Sequence, residues 1–332
     1  MTTSDKLIQM VIAVALFFGV MAVILLLTQR LRSRNGERVQ AAAFVLPALL
    51  LILVGLLYPA VRTLIRSFYG AGPFEAPFVG LDNYTRLFTD PTQLQVLRNT
   101  LFWVILTPLL STGIGLVYAI LVDRSRFEKA AKALLFLPMA ISMVGASIIW
   151  KFVYAYRSAE GLSSAQAAGG VDQIGLANQL LTMIGLDPYN FILDQPWNTF
   201  FLIVILVWIQ AGFAMTILSA SIKAIPDDIV EAARLDGVGG WKMFRHITIP
   251  SIRPSLIVVL TTITIATLKV FDIVQTATGG NFGTSVMAYE FYTQNFVSGN
   301  QGLATAIAVV IFVLVVPIVI YNVRSMRKLE AR

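Results

Sequence analysis

The chain contains no cysteine and a single histidine, His246. Disulfides and thiolate metal sites are therefore excluded, and one imidazole cannot build a His-Glu-x-x-His zinc centre. Charge is scarce as well: 13% of the 332 residues are charged, against about 25% in an average soluble domain. No Gly-x-x-x-x-Gly-Lys-Ser/Thr loop is present to cradle nucleotide phosphates, and no Gly-x-Ser-x-Gly elbow to raise a nucleophile. No catalytic constellation remains, so neither an enzyme nor a metal site is expected of this chain. What fills the space is apolar: 57% of residues are hydrophobic and the mean hydropathy is +0.77. A surface of that composition cannot be kept in water, so the chain reads as an integral membrane protein.

Seven runs are long and apolar enough to span a bilayer, which takes roughly 20 residues: 7–29, 40–61, 99–122, 133–157, 197–221, 256–278 and 302–323. They lack the alternation of outer-membrane strands, and the expected fold is all-α, a polytopic bundle of about seven helices. Pro47, Pro108, Pro138 and Pro317 lie inside runs; spans tolerate this because neighbouring helices satisfy the freed backbone groups. The first run lacks an Ala-x-Ala exit and has its positive cluster after the apolar stretch, so it reads as a retained span and not a cleaved signal.

The net charge is +7, and the basic residues cluster at run ends. Arg30, Arg32, Arg34 and Arg38 follow the first run; Arg124, Arg126, Lys129 and Lys132 follow the third. Lys223, Arg234, Lys242, Arg245 and Arg253 connect the fifth to the sixth, and Arg324, Arg327, Lys328 and Arg332 form the tail. By the positive-inside rule these connections are cytoplasmic, with the N-terminus outside and the C-terminus inside. On this reading residues 1–39 are an extra N-terminal helix with a basic loop, 40–325 the main transmembrane domain, and 326–332 a cytoplasmic tail. Two outer connections are long, 62–98 and 158–196, the second with a short helix expected near 172–184.

The connection 225–250 carries the most information. Pro226, Asp227 and Asp228 form a helix start, where acidic side chains complement free N–H groups. Gly237 can end that helix in a left-handed conformation, and Gly239 and Gly240 permit a bend. Trp241, Phe244 and Ile247 then share one face of a second short helix, and Pro250 and Pro254 mark the return into the membrane. A compact helix–turn–helix with small Ala232 and Ala233 suits docking better than chemistry. His246 reads here as an interfacial residue.

Glu231-Ala232-Ala233, three residues, Gly237, nine residues, Ile247, one residue, an aliphatic and Pro250 resembles the EAA loop of ABC importer permeases, with Ile249 where the pattern usually has Leu. The likeness extends over residues 40–325. Gly80-Leu-Asp-Asn-Tyr84 resembles the entry segment of maltose-type sugar permeases. Thr278-Gly-Gly-Asn281 is similar to the Thr-Gly-Gly-Pro stretch of that group, with Asn for Pro. Leu137-Pro-Met-Ala140 through Trp150 is most similar to α-glucoside permeases.

The resemblance implies a MetI-like permease core in a bacterial inner membrane. It also implies a second related permease, two ATPase subunits that hold the ATP and Mg, and an external sugar-binding protein. Glu231, Ala232, Ala233, Asp236, Gly237 and Pro250 become the ATPase-coupling residues, with no cofactor in this chain. Substrate-path candidates are Trp208, Gln210 and Gly212 in the fifth run, where aromatic faces, an amide and a small residue suit a sugar. Thr262, Lys269, Asp272 and Gln275 in the sixth run join them, because ionisable groups in spans are costly and usually functional or paired. Lys269 and Asp272, three apart, read either as an intrahelical ion pair or as one end of the path. Trp150, Tyr154 and Tyr156 read first as an interfacial aromatic belt. Two other readings stay open from the residues: an ion-driven secondary carrier, which predicts inverted repeats, and a non-transporting assembly subunit, which needs no polar residues in spans.

Overall fold

A computed structural model describes residues 8–23 apart from 13, 17 and 21, together with 36–72, 76–123, 125–158 and 172–330. The basic cluster Arg30–Arg34, Arg124 and the glycine-rich stretch 163–170 lie outside the described residues. The chain divides into two units, residues 1–65 and 66–332. In the first, α1 (Gly36–Ile52) passes through a π-turn at Leu53–Leu57 into α2, Tyr58–Arg66. All of these residues that carry described side chains up to Tyr58 are exposed or nearly so, as a lipid-facing helix requires.

The second unit is a helical bundle. A short α3 (Asp82–Thr89) leads into the long α4, Pro91–Val122. Asp90 caps α4, its carboxylate accepting from Thr92 N at 2.8 Å and Gln93 N at 3.3 Å, and Pro91 occupies the first helical position, where its missing N–H costs nothing. α5 (Glu128–Phe136) and α6 (Met143–Val153) follow, then α7 (Leu176–Met183) and the central α8, Asn198–Lys223. α9 (Asp227–Leu235) and α10 (Gly240–Met243) form the hairpin between spans. α11 (Ile249–Leu268), α12 (Asp272–Ala277), α13 (Met287–Tyr292) and α14 (Gln301–Glu330) complete it.

Among the described residues, five helical stretches are long and apolar enough to cross a membrane: Phe44–Arg66, Pro91–Val122, Asn198–Lys223, Gly240–Leu268 and Gln301–Ser325. The run expected as one span over 133–157 is instead two arms, Glu128–Ala140 and Met143–Val153, bent by 106°. The sequence explains the break. Pro138 sits in a single 3₁₀ turn, Leu137–Ala140, after which Ile141 and Ser142 are extended. The Ser142 hydroxyl then accepts from Gly145 N at 3.0 Å and starts the second arm.

α8 is the hub, with Leu202, Ile203, Ile205, Leu206, Met215 and Leu218 all within 1% of full burial. Side by side, α4 and α8 approach closely at Gly115, where a Cβ would stand 2.6 Å from Met215 N and 2.7 Å from the Ala214 methyl. Small residues at such crossings let backbones meet in a membrane, where dispersion contacts drive helix association.

Candidate functional site: a docking hairpin at the basic end

The basic end of the bundle is held by charge. Lys223, the last residue of α8, pairs with Glu128 at the start of α5 and lies 3.5 Å from Asp123 at the end of α4. Lys132 reaches the same Glu128 at 2.7 Å and also donates to the Ser219 hydroxyl. Three helix ends are thus locked together beneath the point where the hairpin leaves α8.

From there Pro226, in extended conformation, starts α9 with Asp227 and Asp228 in its first turn. α9 ends in paired bonds, Val238 N to Ala233 O and Gly237 N to Arg234 O, both 3.0 Å, with Gly237 at φ 73°. This closure satisfies the last carbonyls and needs a left-handed residue at that position. Gly239 has an ordinary negative φ, so of the three hairpin glycines only Gly237 is required by backbone conformation. Its neighbours face differently. Ala233 is buried, while Glu231, Ala232 and Asp236 are exposed. Leu235 is 89% exposed and Trp241 71%, the latter with its ring 5.4 Å from Phe244. Between hairpin and bundle lies a cavity of about 300 Å³, lined by Val230, Arg234, Met243 and Phe244 on one side and by Asp123 and Lys223 on the other.

The second arm differs from expectation. It is not a separate short helix: α10 runs through a π-turn, Phe244–Thr248, directly into α11. The wide turn bonds Ile249 N to Phe244 O, one residue further back than an α-helix would. Pro250, which has no N–H to give, is thereby accommodated at the start of α11 instead of breaking the arm. Hairpin and span are one lever.

The path candidates are brought together only in part. Trp208 is half-buried on α8 and meets Trp150 of α6 edge-on at 5.8 Å, and α12 packs against α6, with the Lys151 ammonium 3.5 Å from Thr276 O. Gln210 is half-buried; Thr262, Lys269 and Gln275 are exposed, and Asp272 half-buried. Gly212 opens no room: a Cβ there would overlap the Leu135 carbonyl, so it serves the close crossing of α8 and α5. Nor do Lys269 and Asp272 pair. α11 stops at Leu268 and α12 starts at Asp272, so the two residues flank a break and no common helix face exists; among the described residues no ion pair joins them. Tyr154 is not part of a belt. It is 5% exposed, stacked on Phe191 at 5.0 Å, and its hydroxyl donates to Phe201 O at 3.2 Å.

Sequence reasoning missed the opposite end, where residues 278–290 fold as a pinned cap. Asn99 donates to Gly283 O (2.6 Å) and Ser285 O (3.0 Å), Asn198 to Phe282 O (2.8 Å), and Met287 N to the Thr100 hydroxyl (2.9 Å). Tyr289 donates to Gly279 O at 2.7 Å, and the buried Glu290 accepts from Gln93 (2.9 Å) and Gln294 (2.8 Å). The usable signal was Asn99 and Asn198 standing at the mouths of apolar runs. The Gly-Leu-Asp-Asn-Tyr segment has a similar explanation: Asn83 donates to Ser67 O (2.9 Å) and Tyr69 O (2.8 Å), tying α3 to the backbone at 67–69.

The fold is thus a helical bundle with an open hairpin at its charged end, whose second arm runs on into a span. The sequence family described as "Binding-protein-dependent transport system inner membrane component" matches residues 96–329, and the chain belongs to it: it is a multi-pass membrane permease of an ABC importer. The osmoprotective compounds uptake permease protein GgtC of Synechocystis is 46% identical over 86% of this chain and 99% of its own length. The alpha-glucoside transport system permease protein AglF of Rhizobium meliloti is 44% identical over 88% of this chain and 84% of its own. In fold, the chain matches a subunit of a bacterial alginate ABC transporter, solved in complex with an alginate pentasaccharide-bound periplasmic protein, at a TM-score of 0.72 and 22% identity, covering 90% of this chain and 98% of that one.

Proposed function

We propose that this chain is one of two permease subunits of an importer for a neutral glycoside, with an α-glucoside as the substrate class. A second related permease completes the pore, and two ATPase subunits carry ATP and magnesium. A binding protein on the far side delivers the solute. The basic end is cytoplasmic and the N-terminus outside, as the distribution of Lys and Arg favours. The observation that carries this reading is the hairpin. Its Ala233 is buried, whereas Glu231, Ala232, Leu235 and Trp241 are left outward for a partner. A groove of an ATPase that takes α9 would turn closure into a push on α11, because the π-turn makes hairpin and span continuous.

The glycoside class is supported by the names of the relatives and by the half-buried Trp208–Trp150 pair, since aromatic faces suit the C–H patches of sugars. Of the path candidates, Trp208 and Gln210 are retained; Asp272 and Gln275 flank the same packing of α12 on α6. A second class, small osmoprotective solutes, is favoured by the name of the 46% identical relative.

The test is ATP-dependent uptake by the full complex in liposomes, with labelled maltose or trehalose set against an osmoprotectant, for wild type and Glu231→Lys. The expected outcome is α-glucoside uptake that the substitution lowers at least tenfold, together with ATPase attachment. Uptake indifferent to ATP and to Glu231 would remove the reading in favour of an ion-driven carrier.

A further inference from the structure

α7 presents three different sectors. At 3.6 residues per turn, Leu176, Leu180, Met183 and Ile184 fall within about 100° of one another, and each is more than half exposed, Met183 reaching 82%. Ala177, Asn178 and Leu181 form the sector that packs inward. Asn178 is fully buried and spends its amide on Ala155 O (3.0 Å), Tyr189 O (3.1 Å) and Tyr189 N (2.8 Å). Gln179 and Thr182, both exposed, fill the remaining sector. A helix with a protein side, a polar side and a bare apolar side has three neighbours, and two of them are the bundle and water.

The third neighbour follows from height. α8 has 26 residues, about 39 Å at 1.5 Å per residue, against a hydrocarbon core of about 30 Å. With the charged Lys223 at its basic end, α8 is long enough for its first turn to reach the opposite edge of the acyl region. α7 is tied to that level: Asn178 holds Ala155, and the adjacent Tyr154 hydroxyl bonds Phe201 O, in the first turn of α8. The run from Gln173 to Leu186 contains no charged residue, with Asp172 and Asp187 at its flanks. On α6, which packs against α7, Phe152 is likewise 74% exposed.

We infer that α7 is an interfacial helix which lays Leu176, Leu180, Met183 and Ile184 onto the acyl boundary of the bilayer, at the face opposite the coupling hairpin. It fixes the height of α6 and α8 in the membrane by its apolar stripe, while Gln179 and Thr182 meet water. The lipid surface is its partner, independently of which solute is carried.

The absence of cysteine gives a clean test. M183C and T182C are each labelled with an environment-sensitive fluorophore in the full transporter complex in nanodiscs. Quenching is read with shallow nitroxide-labelled phospholipid and with aqueous iodide, before and after adding the binding protein. The expected result is at least threefold stronger nitroxide quenching and at least threefold weaker iodide quenching at position 183 than at 182, unchanged by the binding protein. Equal iodide access at the two positions overturns the inference. So does shielding of position 183 without nitroxide quenching, which would mark the partner permease as occupant, or shielding that arises only with the binding protein. If M183C fails to assemble, L180C repeats the comparison on the same stripe.

Discussion

The two ends of the bundle solve opposite problems. At the far end, residues 278–290 spend their polar groups inside the molecule: Asn99, Asn198, Gln93 and Tyr289 all donate to the cap or its carboxylate. At the basic end, the turn between α9 and α10 is closed by backbone groups. Gly237 and the backbone bonds from Asp236, Gly237 and Val238 end α9, and the large side chains Leu235 and Trp241 stay in the open. A cap that must keep its shape buries its hydrogen bonds, because an unmade buried one is expensive. The surface proposed to be recognised keeps its large side chains available and takes its turn from backbone closure.

That contrast can be broken deliberately, beginning where the effect is largest. Gly280→Val in the cap places a side chain into the Tyr289 ring at a residue with φ 71°. We expect a loss of about 3 kcal/mol, overpacking added to backbone strain, seen as a collapse of the thermal midpoint of the purified complex. Asn99→Leu removes two hydrogen bonds to half-buried carbonyls and should cost about 1–2 kcal/mol, read by the same melt. Gly237→Ala at the hairpin should cost the fold only about 1 kcal/mol, yet lower coupled uptake far more than it lowers the midpoint. If uptake and stability fall in proportion, the division between a rigid cap and a presented hairpin is wrong.

Smaller effects sharpen the picture. Lys223→Met opens the junction with Glu128 and Asp123; Lys223 is about half exposed, so the stability cost should stay at or below about 1 kcal/mol. The diagnostic readout is ATP consumed per solute carried, which should rise when the root of the lever loosens. The least effect belongs to Asp90. Bonds from Thr92 and Gln93 hold its carboxyl below the ordinary carboxylate range. A depressed folded value means its contribution is present above the unfolded pKa and is lost as pH falls through the folded one. Asp90→Asn, which can still cap, should flatten the acid limb of a melt series and leave neutral stability nearly unchanged.

Much of this was legible in the residues, and for stated reasons. Lipid imposes long apolar runs on a helical span, so such spans are visible in the residues. The α9 boundaries and the left-handed Gly237 followed from local chemistry: acidic residues at a helix start, glycine at its stop. Where distant segments had to meet, local patterns failed. Pro138 promised only a tolerated kink, and the 106° bend depended on Ser142 capping a new helix two residues past the 3₁₀ turn. Gly212 looked like room for a sugar until α5 was found to occupy it. Lys269 and Asp272 had pairing distance in sequence and no shared helix in space.

The sequence by itself determined that the chain lives in a membrane, which connections are basic, and that one of them turns as a helical hairpin. Each of these is written in short-range terms, in hydropathy, charge and caps. Only the tertiary structure decided that the hairpin and α11 form one lever, that the far cap is pinned by asparagines from α4 and α8, and that α7 keeps an apolar side bare. Those outcomes depend on which backbone comes within hydrogen-bonding or van der Waals reach of which, and packing sets that distance after the helices have formed.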